Sequence, residues 1–147
     1  VILFNETALV CAFVAERGGG KEHPEVCSAL GWVNSEKKLT AGLVFHHATT
    51  RSICVDIALE GVFFPKTLLT AGLRYVFAQL ALQRLTFFIA DTNIRSCALV
   101  EDLGAVREAT LQDACSDGAL RIYALRPENC KIWSQLNVQG RRSATIS

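Results

Sequence analysis

The sequence predicts an α/β fold built on one strand–helix–strand unit, and three observations predict it. Residues 53–59, Ile-Cys-Val-Asp-Ile-Ala-Leu, form a short apolar run rich in β-branched side chains. Residues 66–83 place Leu69, Leu73, Val76, Phe77 and Leu80 at helical spacing, with Lys66, Thr70, Arg74 and Gln83 on the other face. Residues 85–90, Leu-Thr-Phe-Phe-Ile-Ala, read as a second strand. A crossover of this length makes a βαβ unit, so the two strands are expected to be parallel neighbours.

Each flank of this unit carries its own signal. The turn 60–65, Glu-Gly-Val-Phe-Phe-Pro, links the first strand to the helix. After the second strand, residues 93–105 form a helix with both end signals. Asn93 suits the N-cap, and Gly104 suits the left-handed position after the last turn. In open α/β sheets, ligands lie beyond the carboxyl ends of parallel strands, beside a helix N-terminus. The candidate site is therefore residues 60–67 facing residues 91–96.

The rest of the chain supplies antiparallel elements. Val1-Ile2-Leu3 is too short to assign alone. Residues 6–17 predict a helix from the stripe Leu9, Val10, Phe13 and Val14, with Asn5 as cap and Gly18-Gly19-Gly20 as stop. A strand with Leu9, Cys11, Phe13 and Ala15 on one face is the alternative. Residues 18–25 form a polar loop. Strands 27–33 and 39–47, joined by Asn34-Ser35-Glu36-Lys37-Lys38, read as a hairpin. A second hairpin is expected from 106–112 and 119–126, with Asp117-Gly118 as its turn signal. Pro127 ends the last strand. Residues 134–147 lack periodicity and are expected to extend past the fold.

At 147 residues, half of them hydrophobic, the chain suits one domain with a sizeable core, spanning 1–133, followed by the tail 134–147. No apolar run reaches membrane-spanning length and no signal peptide is expected, so the plain reading is a cytoplasmic protein without a membrane partner. A net charge of +1 gives no field that would steer the chain to nucleic acid. The six cysteines contain no Cys-x-x-Cys, and Cys11, Cys54 and Cys97 fall within apolar patterns. Reduced structural thiols are expected, and no metal.

The run Asn93-x-x-Ser96-x-x-Leu99-x-x-x-Leu103-Gly104-Ala105-x-x-Glu108 resembles the second cofactor motif of the GNAT N-acyltransferases. The preceding Leu68-Leu69, Leu73, Tyr75, Phe77, Leu80 and Arg84-Leu85 are similar to the first motif of that family. The resemblance is to the branch that acetylates protein N-termini and to small acetyltransferases of bacteriophage type. It covers nearly the whole chain to Trp133. The first motif is degenerate, because alignment on Leu68-Leu69 places Glu60 at the family's Gln/Arg position, with Phe63 and Pro65 at its two glycines.

The resemblance implies a mixed, mostly antiparallel sheet with a central βαβ unit flanked by helices, with Val1-Ile2-Leu3 as the remnant of a first strand. It implies acetyl-coenzyme A between the splayed ends of strands 53–59 and 85–90. The cofactor set is then Val62, Phe63, Phe64, Lys66, Thr67, Leu68, Asn93 and Ser96. Backbone N–H groups and the helix dipole stabilise pyrophosphate without particular side chains, which lessens the need for the missing glycines. Ser96 matches a serine that protonates the leaving thiolate; its other role is to close its own helix. Glu60 ranks first as general base, with Glu108 and Asp56 behind. Of the histidines, His23 lies in the loop. His46 and His47 should point to opposite faces, as strand neighbours do, and so should not share a site.

Two functions follow. One is acetyl transfer from acetyl-coenzyme A to a primary amine, a protein N-terminus or a small amine, by direct attack. Such an enzyme would work in the cytoplasm, that of the host for a phage protein, and could be a homodimer. The alternative is a catalytically inactive GNAT-like binding or inhibitory protein. The thiol reading is testable directly: titration of denatured, non-reduced protein should count six free groups, the full cysteine complement. A count near zero would contradict it.

Overall fold

A computed structural model describes residues 1–17 and 20–136. Seven strands form one sheet in the order β1-β2-β3-β4-β5-β7-β6. They are β1 (Ile2–Leu3), β2 (Ser28–Val33), β3 (Leu39–His46), β4 (Ser52–Leu59), β5 (Arg84–Ala90), β6 (Val106–Cys115) and β7 (Gly118–Leu125). Among the described residues, only β4 and β5 are parallel; every other pair is antiparallel. The expected mixed, mostly antiparallel sheet around a βαβ unit is what the chain forms.

Helices flank the sheet, among them α1 (Thr7–Glu16), α2 (Lys66–Arg74) and α3 (Ile94–Leu103). The strict alternation of β3 and β4 divides the core between two faces. Leu43, Phe45, Ile53 and Val55 pack with Leu68, Leu73 and Val76 of α2 and with Cys97, Val100 and Leu103 of α3. Val44 and Ala58 turn to the other face, against Val10, Cys11, Phe13 and Val14 of α1. Residues 7–16 are thus helical, which decides against the strand alternative. Two details differ from expectation. Asn5 does not cap α1: Glu6 occupies that position without a side-chain bond, and Asn5 adopts a left-handed φ of 61°. Leu9 is exposed and Cys11 takes its place in the buried stripe.

The central helix ends earlier than the apolar pattern suggests. The α-helical part stops at Arg74, and one wider π turn follows, Tyr75–Gln79, closed by the Leu80 N–H on the Tyr75 carbonyl at 2.9 Å. Ala81 then takes a left-handed φ of 53° and breaks the helix before 83. The reversal buries Leu82 and leaves Leu80 on the surface. It also delivers the N–H groups of Gln83 and Arg84 to the Arg51 carbonyl, where the parallel pairing starts. The apolar period could not reveal this, because it counts Leu80 and Leu82 alike.

The end signals of α3 hold. The Asn93 side chain accepts the Ser96 N–H at 3.2 Å, and Gly104 sits at φ 107°, with the Gly104 and Ala105 N–H groups on the Glu101 and Val100 carbonyls. Both hairpins form. In the second, β6 runs three residues past the expected end, with an irregularity between Leu111 and Cys115 and Asp113 at φ 57°. Its turn is Ser116-Asp117, because Cys115 pairs with Gly118. Residues 131–136 are helical, so 134–136 continue that helix instead of leaving the fold, and Trp133 meets the Phe77 ring edge-on with centroids 5.6 Å apart. The rest of the expected tail, 137–147, lies outside the described residues.

Gly104 offers a test of this packing. A Cβ there would stand 2.0 Å from the Asn129 carbonyl oxygen, on a backbone that side chains avoid. Gly104→Ala should cost about 1–3 kcal/mol or more in denaturant unfolding, beyond ordinary surface glycine replacements. An unchanged midpoint would contradict the packing.

Candidate functional site

The β4–β5 ladder is short. Its pairs run from Ser52↔Arg84 to Val55↔Phe87 and stop. Beyond that point β4 stays on β3 as far as Leu59↔Ala41, while β5 stays on β7 as far as Ala90↔Leu120. The two strands therefore splay at their carboxyl ends, each held by its outer neighbour. Into the opening falls a cavity of about 600 Å³. Its walls are Ile57, Ala58 and Leu59 of β4 and Ile89 and Ala90 of β5, with Val62 and Phe64 from the following loop. Asn93, Arg95, Ser96 and Leu99 of the α3 region, Arg17 at the end of α1, Thr92, and the turn Cys115-Ser116-Asp117 complete it.

The loop entering α2 is shaped by backbone. The Glu60 N–H bonds the Thr40 carbonyl at 2.8 Å, and Gly61 then takes φ 128° in open space. Pro65 is the N-cap of α2, one position before the first helical turn, in an extended conformation. No side chain caps α2, so the first-turn N–H groups of Lys66, Thr67 and Leu68 precede the first helical bond, Leu69 N–H to Pro65 carbonyl at 3.1 Å. Across the opening, Arg95 Nη1 donates to the Gly61 carbonyl at 2.8 Å and ties the start of α3 to this loop.

The residues expected to hold a cofactor separate into three groups. Val62, Phe64, Asn93 and Ser96 line the cavity. Lys66 and Thr67 are exposed at the start of α2, and Leu68 is fully buried in the core, so it can offer only its N–H. Phe63 is 87% exposed and absent from the cavity wall, so its ring does not fill the space that the glycine pattern would leave open. The Asn93 carboxamide oxygen is engaged in capping, while Ser96 is half-buried against the cavity.

The carboxylates sit in contrasting places. Glu60 accepts from Lys38 Nζ at 2.6 Å and from Arg17 Nη2 at 2.8 Å, and these two cations hold its carboxyl below the usual range. Arg17 is itself fixed by its guanidinium over the Phe13 ring at 3.7 Å and by a bond to the Phe13 carbonyl. Glu108 is paired with Arg84 and Arg126, and the Arg84 bond chiefly lowers its pKa. Arg84 opens β5, at the opposite end of that strand from the cavity, so Glu108 does not border the site. Asp56 is buried on the α1 face beside His46. Burial works to lower the His46 pKa, but the Asp56 hydrogen bond and charge, with Glu22, outweigh it and raise the value.

Sequence reasoning did not select Arg17, Arg95 or the 115–117 turn. Arg95 lies inside the Asn93-x-x-Ser96 run, and Arg17 precedes the glycine run, so both had positional signals. The 115–117 turn is brought to the cavity only by the β5–β7 pairing.

No protein-family profile matches the chain, and no curated relative matches it. Solved structures do. Mutant forms of the spermidine/spermine N-acetyltransferase SpeG from Vibrio cholerae superpose with a TM-score of 0.68 at 15% identity, over 87% of this chain and 95% of that one. Another SpeG mutant gives 0.61 at 20% identity, over 71% and 68%. A GNAT-family acetyltransferase from Bacillus anthracis gives 0.55 at 20% identity, over 68% and 66%. The chain has the GNAT acetyltransferase fold.

The Glu60 cluster predicts a pH dependence. Its folded pKa is depressed, so its contribution to stability is complete above the ordinary carboxylate pKa and disappears as pH falls through the lowered folded value. The melting-temperature gap between the parent protein and Glu60→Gln should be open at neutral pH and closed in strong acid. A gap that widens on acidification would contradict the assignment.

Proposed function

We propose that this protein is an N-acetyltransferase that moves an acetyl group from acetyl-coenzyme A to a primary amine by direct attack. The observation that carries the reading is the splay of β4 from β5 over a cavity flanked by the starts of α2 and α3. The pantetheine arm would replace the missing ladder, using the β4 edge that faces β5, which has no strand partner beyond Val55. The pyrophosphate would meet the amides of Val62, Phe63 and Phe64 and of Lys66, Thr67 and Leu68, assisted by the helix dipole and the Lys66 charge. The neutral amine would attack the thioester carbonyl, forming the C–N bond as the C–S bond breaks. Water would take the proton from the amine, and Ser96 would protonate the leaving thiolate and regain its proton from water. A β4 N–H would stabilise the oxyanion.

Glu60 lies at the end of β4, yet two cations and a lowered pKa make it a weak base. Its better role is to fix Arg17 in the cavity wall. The acceptor is an amine, a protein N-terminus or a small amine; the SpeG neighbours are named for spermidine and spermine, which supports the amine class. No described helix is long and apolar enough to cross a membrane. Kinship with the phage-type or N-terminal acetyltransferase branch, a cytoplasmic setting and a homodimer remain parts of this proposal.

The second reading, an inactive binding or inhibitory protein, draws on Phe63 and Pro65 in place of glycines. The outward position of the Phe63 ring favours the enzyme. Pro65 still removes one donor, and one lost bond to a charged group costs about 1.5–3 kcal/mol. Calorimetry should therefore find acetyl-coenzyme A bound at roughly tens to hundreds of micromolar. Its dephosphorylated pantetheine fragment should bind more weakly. Equal affinity for both would remove the phosphate cradle, and no binding of either at millimolar concentration would favour the inactive protein.

A further inference from the structure

A second cluster of functional groups lies away from the cavity, at the other end of β4. His46 closes β3 opposite Cys54, near the beginning of β4, and faces α1 together with Asp56. Both are nine-tenths buried. His46 Nε2 lies 3.1 Å from Asp56 Oδ2, a close approach without hydrogen-bond alignment, and among the described residues neither atom has a hydrogen-bond partner. The loop after α1 seals this pair: a Cβ on Gly20 would stand 2.2 Å from Asp56 Oδ2, so backbone rests directly on the carboxylate. Two residues further on, Glu22 Oε1 reaches to 3.5 Å from His46 Nδ1.

The neighbouring histidine joins them. His47 lies past the end of β3 with φ 52°, outside the pleat, so the alternation expected of strand neighbours does not apply to it. Its ring returns edge-on to His46 with centroids 4.8 Å apart, and the two Nδ1 atoms lie 2.5 Å apart. The expectation that His46 and His47 could not serve one site is thereby corrected. Glu22, His46 and His47 each offer one ligand atom, all within 4.8 Å of one another.

We propose that Glu22, His46 and His47 form a binding site for a divalent transition metal ion of the zinc type. Two imidazole nitrogens and one carboxylate oxygen are a known zinc set, with bonds of about 2.0–2.2 Å and room for a further ligand. Bonds of that length at tetrahedral angles separate ligand atoms by about 3.3 Å. The Glu22–His46 separation already fits, and the exposed His47 ring must turn to widen its 2.5 Å approach to His46 and to close on Glu22, whose ligand atom lies within 4.8 Å. Asp56 supplies the outer support. At 3.1 Å, a small turn of the imidazole would let Asp56 accept from His46 Nε2–H and so fix the tautomer that leaves Nδ1 free for the ion, the usual carboxylate–histidine–metal arrangement. The absence of cysteine spacing said nothing against such a site, because it contains no sulfur. The ion would clip the loop between α1 and β2 to the end of β3.

The test uses the full chain stripped of metal and titrated with cobalt(II), then with zinc(II). One equivalent should bind, with visible d–d bands and no thiolate-to-cobalt charge-transfer band. His47→Ala and Glu22→Gln, both at accessible positions, should abolish this uptake while leaving acetyl-coenzyme A affinity unchanged. Asp56→Asn should weaken binding by about 10–100-fold. A thiolate band would assign the metal to Cys11 and Cys27, whose sulfurs lie 3.3 Å apart, and would overturn the proposal. So would the absence of stoichiometric uptake, or uptake unaffected by the two substitutions.

Discussion

Everything at the candidate site depends on a ladder that stops early. Four residue pairs, from Ser52↔Arg84 to Val55↔Phe87, hold β4 and β5 parallel at the heart of the sheet. Each strand then follows a different neighbour. Buried main-chain groups must be paired somewhere, so strands that part must meet either water or a ligand. The cavity between them is the consequence of that divergence, and both helices that bracket it start from the same two strands. A ladder continued to Leu59 would close the cavity and leave an ordinary α/β sheet.

Charge around the opening is arranged to hold the scaffold in place. Arg17 and Lys38 meet on Glu60, which joins the end of α1, the β2–β3 hairpin and the end of β4. Arg95 bridges α3 to the Gly61 carbonyl. These groups are exposed, and exposed ion pairs contribute little to stability. Their value is geometric: they fix where three separate segments stand relative to the cavity. The His46–Asp56 contact differs, because it is buried and its partners come from two strands and a loop.

Much of this was legible in the chain. The βαβ unit was readable because two short apolar strand-like runs, 53–59 and 85–90, bracket a stretch of helical spacing, and Asn93 with Gly104 marked α3 at both ends. Local chemistry determines those features. The end of the central helix was not readable, since the π turn and the left-handed Ala81 answer to the burial of Leu82 and to pairing at Arg51. The same limit applies to the site. Ser96, Val62 and Phe64 came from motif position, whereas Arg17 and the 115–117 turn arrive through long-range pairing. The His46–His47 reading failed because a strand rule was extended one residue beyond the strand.

The proposed function requires that acetyl-coenzyme A occupy the splay between β4 and β5. Amide NMR of the labelled protein during titration with acetyl-coenzyme A tests it most directly. Shifts should concentrate at the amides of residues 57–64 and 66–68 and of residues 89–96, with the His46 and His47 amides unmoved. Perturbations confined to other surfaces, or a spectrum unchanged at millimolar ligand, would contradict it.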